Sequence, residues 1–96
     1  MQTSELYADK AVIVRARGDM PVKLSFRRFD KDHCYVGHIG RISEIGVPSE
    51  QVFAFSDELY NKLIAAFQAQ DLNRLRELYA QIPVDDLACN KYQNRL

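Results

Sequence analysis

The chain has 96 residues, 47% hydrophobic and 27% charged, and its thirteen basic and thirteen acidic side chains cancel to a formal net charge of zero. That length fits one domain and leaves no room for a second independent core. The hydrophobic content excludes a disordered chain, and the balanced charge removes any global argument for nucleic acid or an acidic membrane surface.

At the N-terminus, Met1-Gln-Thr-Ser-Glu5 has no basic stretch leading into an apolar one, so no secretory leader is expected. The longest apolar runs, Ala11–Val14 and Val52–Phe55, are far too short to span a membrane. Cys34 and Cys89 are therefore expected as reduced, partly buried thiols, and the cytoplasm is the expected compartment.

After a polar lead-in, Ala11-Val-Ile-Val-Arg-Ala-Arg17 is the strongest strand signal, because β-branched residues dominate it. Gly18-Asp19-Met20-Pro21 breaks it, and Val22 to Phe29 alternates, with Val22, Leu24 and Phe26 on one face. A three-residue loop, Gly18 to Met20, sets Ala16 opposite Val22, Val14 opposite Leu24 and Val12 opposite Phe26, an apolar face throughout. The other face then pairs Arg15 with Lys23, Ile13 with Ser25 and Ala11 with Arg27. Asp30-Lys-Asp32 is the next turn and Cys34–Ile39 a third strand, with two registers against the second equally good. Residues 42–55 form a connector or short edge strand, in which Val52–Phe55 reads either as a fourth strand or as the front of a helix.

Ser56-Asp57-Glu58 is a helix start, a hydroxyl cap followed by two carboxylates in the positive first turn. Leu59, Leu63 and Ala66 continue it at helical spacing. Asp71 caps a second helix through Leu75, Leu78 and Tyr79, which Pro83 ends, so residues 56–83 make a helical hairpin. Residues 84–96 are a tail or a short helix capped by Asp85. The expected fold is α+β: a three- to four-stranded antiparallel β-meander over residues 10–41 and beyond, packed on one face by the C-terminal helical hairpin. The sheet contributes Val12, Val14, Leu24 and Phe26 to the core between them.

Charge is unevenly distributed. From Lys10 to Arg41 eight basic residues face three acidic ones, and from Glu44 to Asp86 the ratio is reversed. The register gathers Arg15, Arg17, Lys23 and Arg27 on the exposed sheet face, and like charges set opposite each other are mildly destabilising. With Tyr35 and Arg41 they are the candidate residues for binding a partner or nucleic acid, since bases stack on aromatic rings among cations. Arg17-Gly18-Asp19 is read as a turn that uses Gly and Asp for backbone reasons, not as an adhesion tripeptide. Cys34 and His38 lie four apart on a strand, about 13 Å, too far to share a zinc ion. No metal or cofactor is expected, and Cys34 is assigned to the core. Asp57-Glu58 and Asp85-Asp86 are read as helix-start carboxylates. No phosphate loop, dinucleotide fingerprint or nucleophile elbow occurs, so an enzyme is not expected. The expectation is a small intracellular interaction protein (an inhibitor, adaptor or accessory regulator, such as phages and plasmids encode) with a protein partner. Nucleic-acid binding and a structural homodimer are the alternatives, and no membrane is involved.

Overall fold

A computed structural model describes residues 11–38 and 40–92. The fold is α+β, with an antiparallel sheet and three helices among the described residues. The strands are β1 (Ala11–Arg15), β2 (Pro21–Asp30), β3 (His33–Gly37), β4 (Ile45–Pro48) and β5 (Val52–Ala54), in the spatial order β4-β3-β2-β1-β5. The helices are α1 (Asp57–Gln68), α2 (Leu72–Ala80) and α3 (Ala88–Tyr92). The sheet thus has five strands rather than three or four. Both pieces of the 42–55 segment that were expected as connector or edge are strands, each at one border of the sheet.

The chain forces this sheet to fold over. In a flat sheet its two border strands would be four spacings apart, about 19 Å. Yet only Ser49–Gln51 joins β4 to β5. Four residue steps reach at most about 14 Å, and these three residues are wound into a 3-10 turn. The fold occurs along β2, whose first half pairs with β1 and whose second half pairs with β3. A bulge between Phe26 and Arg28 interrupts the second ladder, adding the local twist that lets one strand serve both halves.

The β1–β2 register differs from expectation by two residues. Val12 faces Leu24, Val14 faces Val22, Ile13 faces Lys23 and Arg15 faces Pro21. A two-residue slip preserves the faces but changes every partner, so the expected Arg15–Lys23 pair does not form. The cause is the loop, which takes five residues and not three. Ala16 N–H donates to the Met20 carbonyl at 2.8 Å around a 3-10 turn at Arg17–Asp19. Asp19 sits in the left-handed region at φ 64, a conformation Asp tolerates better than most residues.

Two cores follow. Inside the folded sheet lie Val12, Val14, Leu24, Phe26, Cys34, Val36 and Val52, joined by Ala88, Cys89 and Tyr92 of α3. The Phe26 and Tyr92 rings are 5.5 Å apart, and the Tyr92 hydroxyl donates to the Ala11 carbonyl at 3.2 Å. On the outer face, the neighbours Ile13 and Phe53 pack with Leu63, Ala66, Leu75, Leu78 and Tyr79 of the helical hairpin. Fully burying such a side chain stabilises by about 1.5–3 kcal/mol. The hairpin therefore does not cover the Val12, Val14, Leu24 and Phe26 face, as expected from the sequence. That face is filled by the sheet itself and by α3, and the helices take the opposite one.

The helix starts are as expected. Ser56 Oγ accepts from Leu59 N–H and Asp71 Oδ1 from Arg74 N–H, each at 3.1 Å. Asp85 is different, since it lies within a 3-10 turn at Val84–Asp86 and does not cap α3.

Candidate interaction surface

The four residues expected on one exposed basic face, Arg15, Arg17, Lys23 and Arg27, and the two further candidates, Tyr35 and Arg41, do not share a common patch. Arg15 is half-buried beside the helices, its guanidinium 4.5 Å from the centre of the Tyr79 ring and its Nε donating to Asp19 Oδ1 at 2.8 Å. Asp19 also meets Arg76 at 3.4 Å and, through its carbonyl, the Tyr79 hydroxyl at 2.9 Å. The hydrogen bond from Arg15, with Arg76 adding to it, holds the Asp19 carboxyl below its ordinary value. Burial pushes the Tyr79 hydroxyl up, with Asp19 adding and Arg15 opposing. The Arg17-Gly18-Asp19 segment is thus a turn whose carboxylate is engaged by its own molecule. Lys23 is exposed but rests its ammonium 4.6 Å from the Phe55 ring centre. Arg17 is exposed at the tip of the β1–β2 loop.

Arg27, Arg41 and Tyr35 lie on the other half of the sheet. Arg27 Nη2 donates to the His38 carbonyl at 2.8 Å and to the Arg41 carbonyl, tying the start and the middle of the β3–β4 loop to β2. Gly37 permits this closure, because a Cβ there would overlap the Ser43 carbonyl oxygen and crowd the Arg27 guanidinium. The loop is therefore pinned, and it holds Arg41 in solvent. Tyr35 lies against the backbone of Gly46 and carries the Arg28 guanidinium over its ring at 3.9 Å. Arg28 also reaches Glu44 at 3.4 Å.

Three residues that shape this corner were not among the sequence candidates: Arg28, Ile42 and Ile45. Simple alternation puts Arg28 on the inner face with Phe26. The bulge turns it outward and brings Phe29 inward, opposite Cys34. Two adjacent arginines inside an otherwise alternating strand were the available signal. Ile42, in the loop before the border strand β4, is 96% exposed, and Ile45, the first residue of that strand, is 54% exposed. Isolated exposed apolar residues are ordinary. Here one lies on a pinned loop and the other on a border strand, three residues apart in the chain.

The rest of the surface carries little arranged chemistry. A cleft of about 470 Å³ opens between β5, α1 and α3, with Phe55, Leu59, Ile82 and Tyr92 on its walls. Its charges pair with one another, Lys91 with Asp86 at 3.0 Å and Lys62 with Glu58 at 3.4 Å. Cys34 is buried, and that burial, reinforced by Cys89 nearby, pushes its thiol up to about 12, the state of an inert core residue. Among the described residues no group of three or more His, Cys, Asp and Glu side chains gathers in a metal-binding arrangement. Among the same residues no helix is long and apolar enough to cross a membrane. No protein-family model, curated protein or solved structure matches the chain.

Proposed function

We propose that this is a non-enzymatic interaction protein, of the inhibitor, adaptor or accessory-regulator kind, that works by pairing with another polypeptide through the β3–β4 corner. The observation that carries the reading is Ile42, 96% exposed on a loop that Arg27 holds in place. A bulky apolar side chain on a pre-set loop loses little conformational freedom on contact, which is how a small surface gains affinity. Nucleic-acid binding is the weaker reading. Arg15 and Arg28 are already committed to aromatic rings and carboxylates, and Arg28 occupies the Tyr35 ring face that a base would need.

The test places a photo-crosslinking phenylalanine analogue at position 42 of the full chain in its native cells. A covalent adduct with a polypeptide identified by mass spectrometry is expected, and Ile45→Lys should abolish it. The reading fails if position 42 gives no adduct while an analogue at the cleft residue Ile82 gives a strong one.

A further inference from the structure

At the outer border of β4, the backbone groups that point away from β3 follow from the ladder's hydrogen-bond pattern. Ser49 N–H donates to the Asp32 carbonyl at 2.9 Å. His33 and Pro48, the facing pair beside that bond, therefore do not bond directly to each other. Tyr35 and Gly46, two positions on, are a pair of the same kind. So the N–H and C=O of Gly46 and the C=O of Pro48 point away from β3. Among the described residues no strand pairs with them. Pro48 has no N–H to leave unpaired, which suits a strand at a border.

We infer that a second copy of this chain covers this border, its β4 pairing antiparallel with the first about a two-fold axis at Ile45. This rests on the reading of the corner as an interaction surface and names its occupant. Registers that keep inner face against inner face centre the axis on a residue. Centring on Val47 sets Gly46 opposite Pro48, which has no N–H to return, leaving three to compare. Centring on Glu44 opposes two carboxylates, which is unfavourable. Centring on Gly46 brings two glycines together and leaves each Glu44 opposite a proline. Centring on Ile45 sets the two half-exposed isoleucines against each other and brings each Glu44 over Gly46 of the second copy, where there is no side chain to obstruct it. Glu44 and Gly46 then exchange both backbone hydrogen bonds across the axis.

Charge agrees with that register. Gly46 lies beside Tyr35, on which Arg28 is stacked. The arriving Glu44 meets an Arg28 guanidinium whose contact with its own Glu44 is loose, at 3.4 Å. Each guanidinium is then shared by two carboxylates. Isologous pairing of this kind is the commonest symmetry among homo-oligomers, and it removes an open strand border that would otherwise invite indiscriminate pairing.

A cysteine scan reads the register directly. Across the axis Ile45 meets its counterpart with Cα atoms about 4.5 Å apart, within disulfide reach. In a Cys89→Ser background, Ile45→Cys under copper–phenanthroline oxidation is expected to give mostly a covalent species of about 22 kDa, twice 11.1 kDa. Glu44→Cys and Gly46→Cys should give at least fivefold less. Unmodified protein at about 100 µM should sediment as a dimer, and Ile42→Asp with Ile45→Lys should return a monomer with an unchanged circular dichroism spectrum. Faster cross-linking at 44 or 46, or a monomer with no cross-link at 45, overturns the inference. If the purified chain is a monomer while the photo-adduct at 42 contains a different polypeptide, the second copy is ruled out but the corner stands as an interaction surface. If there is no adduct either, both fail.

Discussion

The two halves of the folded sheet use their outward faces differently. Over β5, β1 and the start of β2, the outer face carries Ile13 and Phe53, and the helical hairpin buries them. Over the end of β2, β3 and β4, the same face carries Arg28, Tyr35 and Gly46, and among the described residues no helix covers it. Basic residues follow the division. Arg15 helps dock α2 through Tyr79 and Asp19, whereas Arg27 braces a loop that displays Ile42. The same residue type serves packing in one half and presentation in the other. What separates them is two apolar side chains, enough to decide where helices settle.

The comparison breaks most visibly at Ile13. It is fully buried, and on the uncovered half an outward residue such as Ile42 is nearly free of contacts. Ile13→Ala is expected to destabilise the fold by about 3 kcal/mol, from lost transfer energy and the cavity left behind. Ile42→Ala should stay within about 0.5 kcal/mol for the monomer. Urea unfolding followed by circular dichroism measures both. A small effect at Ile13 would mean that the hairpin does not pack on that face.

Ile13 also shows how far the sequence could be read. Alternation assigned it to the face opposite Val12 and Val14, correctly, but that face was taken as polar because Arg15, Lys23 and Arg27 share it. Long basic side chains lie along apolar surface and keep their charge in water, so three cations did not exclude a helix there. Ser56 and Asp71 were legible as caps because the cap is a local interaction, settled within three residues. The hairpin register was not, because Asp19 is held in its left-handed turn by Arg76 and Tyr79, some sixty residues away. Of the residues at the proposed corner, Tyr35, Arg27 and Arg41 were already sequence candidates. Ile42 and Ile45 were missed because exposure of an apolar residue depends on the tertiary fold, and Arg28 because the bulge reverses its face.

A smaller effect is expected where the loop is pinned. Gly37→Ala puts a methyl group against the Ser43 carbonyl and the Arg27 guanidinium, and one of them must move. Such overpacking costs about 1–3 kcal/mol. Because the displaced element is the β3–β4 loop, hydrogen exchange should accelerate across residues 40–44 while the helical hairpin remains protected. Uniform acceleration over the whole chain would show that the loop is not an independent, Arg27-held unit, and the contrast between the two halves would lose its mechanism.

The smallest effect tests the seam between the helices and the sheet. Asp19→Asn keeps a residue that tolerates the left-handed turn but removes the charge that Arg15 and Arg76 bind. At pH 7 it is expected to cost about 1 kcal/mol, the net contribution of a typical intramolecular hydrogen bond. The pH dependence fixes the cause. In the folded protein the Asp19 carboxyl is held below its ordinary value of 3.8 by the Arg15 hydrogen bond, with Arg76 assisting against the opposing effect of partial burial. Its contribution is therefore complete above the unfolded value, near 3.9. It is lost as pH falls below that value and through the folded one, where the unfolded chain binds the proton more readily. The difference in stability between the parent and Asp19→Asn should thus be constant from pH 7 to about 5 and shrink toward pH 2. A difference that persists unchanged in acid would assign the role of Asp19 to turn geometry, and the polar part of the α2 seam would then rest on the Tyr79 hydroxyl, beside the apolar packing of Leu75 and Leu78.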